Sequence, residues 1–102
     1  MNLLSSTLVN SNKSLILTQA IVYAQEKMDE IIGDKKNPTR GYTWVTTPGH
    51  YPSDIPSSGF TRSVIIETSG KVHNGIPYAL VQVIISHNDL PDFRLTTWLT
   101  EY

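Results

Sequence analysis

From Leu3 to Ile32 the chain runs thirty residues without a proline or a glycine. That is long for a helix in a small domain. At about 1.5 Å per residue such a helix spans roughly 45 Å. A compact domain of this length has a radius of gyration of only about 13 Å, so a continuous helix is expected to overhang its own domain. In its second half Leu17, Ile21, Ala24, Met28 and Ile31 are spaced 4, 3, 4 and 3. This is an apolar seam at helical period, with Gln25, Glu26, Asp29 and Glu30 on other faces. The seam is expected to carry the helix–sheet packing. Gly33 suits the left-handed position just past a helix end, and residues 34–38, closing on Pro38, are expected not to continue it. The first half carries another stripe, Leu4, Leu8, Leu15 and Val22, spaced 4, 7 and 7. At about 100° per residue it lies roughly 145° around from the seam. Two apolar faces imply two partners. The alternative is that Ser5, Ser6, Thr7, Asn10, Ser11 and Asn12 fray as a disordered N-terminal tail.

Residues 33–59 are punctuated by Pro38, Gly41, Pro48, Gly49, Pro52, Pro56 and Gly59, the mark of loops. Within them Tyr42 to Thr47 is aromatic, β-branched and alternating, which predicts a short strand. The stretch from Pro48 to Gly59 is expected to lie over the surface. Three further strands are predicted: Phe60–Ser69 with a turn at Ser69-Gly70-Lys71, Pro77–Ser86, and Phe93–Glu101. The second is nearly all apolar from Leu80 to Ile85, which suits a central strand. In the last, Phe93, Leu95, Thr97 and Leu99 alternate with Arg94, Thr96, Trp98 and Thr100. His87 to Asp92 is expected to be a loop. Short connections favour antiparallel pairing. The expectation is one α+β domain over 1–102: a long N-terminal helix packed on a three- to four-stranded antiparallel sheet. Residues 1–33 form the helix, 34–59 a loop with a short strand, and 60–102 the sheet.

Composition agrees with a folded domain. Leu, Ile, Val and Phe make up about 27% of the 102 residues, above the roughly 20% below which disorder prevails. Eight Lys and Arg against nine Asp and Glu give a net charge of −1, without the basic excess of a nucleic-acid binder. There is no cysteine, which excludes disulfides and thiolate chemistry. No apolar run approaches the roughly 18 residues of a membrane span.

Chemistry-bearing patterns are sparse. His50, His73 and His87 fall in predicted loops without metal-ligand spacing. There is no nucleophile elbow, and the six glycines are scattered singly rather than forming a phosphate loop. Glu26, Asp29 and Glu30 read as a solvated helix face. Asp89 and Asp92 read as turn residues, short of the oxygen set that calcium needs. Tyr42, Trp44, Tyr51, Tyr78 and Trp98 read as packing side chains rather than a ligand platform. No catalytic, cofactor-binding or metal site is expected, the chain is not expected to be an enzyme, and a small-molecule ligand is not expected.

The segment Ala20-Ile21-Val22-Tyr23-Ala24-Gln25-Glu26-Lys27-Met28-Asp29-Glu30-Ile31 resembles the AQEKLEEL stretch of type IV pilin-like proteins. It is most similar to the minor pilins called type IV pilus modification proteins. Gly59 to Ile66 resembles that family's aromatic-x-Arg-x-Val strand, Tyr78 to Ile85 its valine-rich strand, and Leu95 to Thr100 its closing strand. The matches come in the family's order and cover most of the chain from about residue 15. They are packing patterns, and AQEKM-D-E-I is the most distinctive. The family's leader, cleaved after a glycine, and its long apolar helix with an early Glu are not in this sequence. On the resemblance, Leu3 to Asn12 would be the stub of that membrane helix. The resemblance implies a structural subunit assembled into, or priming, a type IV pilus in the bacterial cell envelope. Its partners would be other pilin subunits, the assembly machinery and, through the upstream helix, the inner membrane. Leu4, Leu8, Leu15 and Val22 would face neighbouring helices, and the loops 46–59 and 87–92 would meet other subunits or surfaces. A type II secretion pseudopilin is the near alternative. A soluble protein-binding module using the exposed helix face or a sheet edge is the more distant one.

Overall fold

The computed structural model describes the backbone of residues 2–68 and 71–101, with side chains from Ser14 onward. Six elements follow in order: α1 (Asn2–Lys36), α2 (Gly41–Thr46), β1 (Phe60–Glu67), β2 (Val72–His73), β3 (Ile76–His87) and β4 (Leu90–Thr100). The architecture is α+β, an N-terminal helix against a four-stranded antiparallel sheet. At about 1.5 Å per residue the 35 residues of α1 are roughly 52 Å long. The principal extents of the molecule, 60 × 27 × 19 Å, show the same elongation.

The helix runs past Gly33 to Lys36, a turn beyond the expected stop. Gly33 is exposed, and a Cβ built on it would meet nothing within 4 Å. A helical glycine there costs up to about 1 kcal/mol of propensity. The extra turn carries Asp34 to the core face, where it is 9% exposed. Asp34 accepts bonds from Arg40 Nη1 and from the Tyr51 hydroxyl, each at 2.7 Å. Lys35 and Lys36 in the last turn also suit the negative end of the helix dipole. Asn37 and Pro38 then end the helix.

The segment 42–47 is not a strand. Gly41, at φ 78°, opens the short helix α2, which buries Val45 against α1. Its threonines satisfy helix-end carbonyls: Thr46 Oγ1 donates to Tyr42 O at 2.9 Å and Thr47 Oγ1 to Thr43 O at 2.7 Å. Strand propensity is context-dependent, and here the burial of Val45 and packing on α1 accompany the helical turn. One hairpin turn is additional to the sequence reading, and the predicted loop 87–92 is shorter than expected. Asn74-Gly75, both at positive φ, closes a hairpin between β2 and β3, as a primed turn requires. Asn88-Asp89 closes the next hairpin, so that Leu90, Pro91 and Asp92 belong to β4 rather than to a loop.

The 12-residue strand β3 is the hub, pairing antiparallel with β1, β2 and β4. Its odd positions Ala79, Val81, Val83 and Ile85 are buried. Register sets Val64, Val83 and Leu95 in one row, and Ile66, Val81 and Thr97 in the next. These rows meet Ala20, Ala24, Met28 and Ile31 of α1 and Val45 of α2. Full burial of a side chain the size of Ile31, Ile85, Val81 or Val83 is worth about 1.5–3 kcal/mol each. The opposite face of the sheet carries Ile65, Gln82 and Thr96 in one row, and Glu67, Leu80 and Trp98 in another.

Candidate functional site: the exposed apolar end of the helix

The helix–sheet contact differs from the expected seam. Ala24, Met28 and Ile31 lie in the core, but Leu17 is 42% and Ile21 44% exposed. Both are corrections to the sequence reading. Among the described residues, the buried apolar ones of α1 are Ala20, Ala24, Met28 and Ile31. Ile21 sits on the flank of that face. Leu17 points toward the core side, but lies nearly a turn beyond Ala20, and Ile16 is the residue of that turn that packs partly on the cluster. The buried face is thus rotated slightly from the predicted seam, toward Ala20 and Ile16.

On the other stripe, Leu15 is 59% and Val22 48% exposed. The side chains of Leu4 and Leu8 lie outside the described residues. At about 100° per residue, Leu15 and Val22 share one azimuth, and Leu17 and Ile21 share another about 130° away. Four large apolar side chains within eight residues therefore face solvent on two sides of α1. No charged residue occurs from Ser14 to Gln25. Thr18 Oγ1 turns inward on its own helix, donating to Ser14 O at 2.8 Å. The exposed polar side chains of this stretch, Ser14, Thr18, Gln19 and Gln25, are all uncharged.

Below Val22 the surface becomes polar and α1 is pinned. The Tyr23 hydroxyl hydrogen-bonds with Ser57 Oγ at 2.8 Å, and its ring meets Phe60 edge-on at 5.1 Å. Arg62 of β1 donates through Nε to Asp54 Oδ1 at 2.9 Å, through Nη2 to Asp54 Oδ2, and through Nη1 to Tyr23 O at 3.0 Å. Glu26 is 3.8 Å from the same guanidinium. The bidentate bond from Arg62 holds the Asp54 carboxyl below its ordinary value, and Asp54 in turn raises Arg62. Farther along, Asp34, Arg40 and Tyr51 fasten the C-terminal turn. Burial, and then the bond to Asp34, pushes the Tyr51 phenol well above its usual range. Gln25 and Asp29 pair at 2.9 Å, and Lys27 and Glu30 at 3.3 Å, on the polar faces.

The histidines do not converge. His50 Nδ1 is 2.7 Å from Trp44 O with its ring stacked on the indole at 3.7 Å; His73 lies in β2; His87 Nδ1 accepts from the Asp89 N–H at 3.0 Å. Among the described residues there is no group of three metal-ligating side chains. The aromatics divide. Tyr42, Trp44 and Tyr51 pack against the core, while Trp98, read from sequence as a packing residue, is 59% exposed on the outer face of the sheet. The loop 46–59 borders a cavity of about 220 Å³ lined by Val45, Thr46, His50, Tyr51, Val64 and Ile66 among others. No helix among the described residues is long and apolar enough to cross a membrane. Comparison with protein-family models, with curated proteins and with solved structures returned no match.

Proposed function

We propose that this chain is the globular part of a type IV pilin-like minor subunit, assembled through its helix into an envelope filament. The observation that carries the reading is the uncharged stretch of α1 from Ser14 to Gln25. There Leu15, Leu17, Ile21 and Val22 are exposed on two sides, while Tyr23 to Asp34 are fastened to the sheet. One apolar flank would serve one partner, and two flanks suit a helix lying among several others. The succession of a long helix, a loop-rich segment and a small antiparallel sheet agrees with the resemblance. Function on this reading is assembly, without a catalytic step.

The test is biochemical. Antiserum against the domain is used to probe filaments sheared from the surface of the source cells. The chain is expected in the sheared fraction, with mass spectrometry finding an apolar sequence running directly into Leu3. Val22→Asp, in the full-length protein, is expected to leave the melting curve of the domain within about 0.5 kcal/mol of the parent and to remove the protein from the filament fraction. A protein found in cells but never in sheared filaments, with Val22→Asp behaving like the parent, overturns the reading.

A further inference from the structure

The outer face of the sheet holds a feature unrelated to the helix. Trp98 and Tyr78 sit there on adjacent strands. Trp98 is opposite Leu80, Tyr78 is opposite Thr100, and the two rings stack with centroids 5.0 Å apart and planes 24° from parallel. The His73 ring stands 6.5 Å from the indole at 55°. Together with Asn74, Ile76 and Thr100 these side chains line a hollow of about 160 Å³. The Asn74-Gly75 turn forms its end, with Asn74 held at φ 51°. Even with Tyr78 against it, Trp98 leaves more than half of its surface in water.

We propose that this hollow binds one ring of a neutral saccharide. A pyranose presents a face of C–H bonds and a rim of hydroxyls. The first matches an exposed indole face, and the second needs uncharged donors and acceptors at the edge. The Asn74 amide, the Thr100 hydroxyl and the His73 ring supply them, and among the described residues the lining carries no carboxylate, ammonium or guanidinium. Binding sites for small ligands commonly combine an apolar floor with a few placed polar groups. A hollow of about 160 Å³ suits one ring better than an extended peptide. The reading is independent of filament assembly.

Saturation-transfer NMR on the 102-residue chain tests it with four probes: the methyl glycosides of glucose, galactose, mannose and N-acetylglucosamine. At least one is expected to show transfer concentrated on the C–H protons of one ring face. Trp98→Ala is expected to weaken that probe tenfold or more while keeping the parent's melting temperature. Thr100→Val, which keeps the aromatic floor, is expected to weaken it severalfold and guards against misfolding of the first variant. No transfer from any of the four, or transfer that persists in Trp98→Ala, overturns the proposal. So does binding of free indole with none of the glycosides, which would mark a seat for a protein's aromatic side chain.

Discussion

Arg62 joins three parts of the molecule. Its guanidinium binds the Asp54 carboxylate in the loop before β1, the Tyr23 carbonyl on α1, and approaches Glu26. Backbone pairing of Asp54 with Arg62, at 2.9 and 2.8 Å, reinforces the same junction. Because the folded state lowers the Asp54 pKa below its ordinary 3.8, the unfolded chain takes up this proton first as pH falls. The pair's stabilisation is therefore complete above the ordinary value and is lost as pH drops through the lowered one. Urea unfolding from about pH 6 to about pH 2 should show Asp54→Asn less stable than the parent at the upper end. The gap should close toward the acid end. A constant gap would mean that the carboxylate charge contributes nothing. Tyr51 acts in the opposite direction. Its raised pKa means that the neutral phenol is favoured by folding, so its contribution is present below the ordinary phenol range and is lost at higher pH.

At the scale of elements, α1 shows where periodicity succeeds and where it misleads. Ala24, Met28 and Ile31 were legible as an apolar face and lie in the core. Leu17 and Ile21 fit the same spacing yet are 42% and 44% exposed: Leu17 lies nearly a turn beyond Ala20, and Ile21 lies on the flank of the buried face. Ile31→Ala should cost about 3 kcal/mol, the usual range for a fully buried aliphatic side chain. Ile21→Ala should cost less than about 1 kcal/mol. Chemical denaturation of both variants separates the two; equal costs would mean that Ile21 is a core residue. Segment 42–47 is the opposite case. Its residues have strand chemistry, but burial of Val45 against α1 and threonine bonds to helix carbonyls select a helical turn. The Asn74-Gly75 dipeptide is a hairpin signal, but β2 before it spans only two residues, too few to show an alternating pattern.

For the whole molecule, the helix end presents apolar side chains on two azimuths while the sheet outside carries Trp98. Apolar surface of this kind drives association. The chain should self-associate with rising concentration in sedimentation velocity. Leu15→Asp combined with Val22→Asp should abolish this without shifting the unfolding midpoint, and Trp98→Ala should leave it in place. Association that survives the double aspartate variant would locate the sticky surface elsewhere, on the outer face of the sheet or along the free edge of β4.

The sequence by itself determined the order of helix, loop and strands, the inward positions Phe93, Leu95, Thr97 and Leu99 of β4, and the uncharged stretch above Tyr23. These are local properties: period two, period near 3.6, and the presence or absence of charge. Which azimuth of the helix meets the sheet, how far it continues past Gly33, and the folding of 42–47 were decided by tertiary structure. So was the exposure of Trp98 beside Tyr78. Each depends on what stands opposite a side chain once the layers close. A chain of 102 residues brings Asp34 to Tyr51 and Arg62 to Tyr23 across separations that no local pattern records.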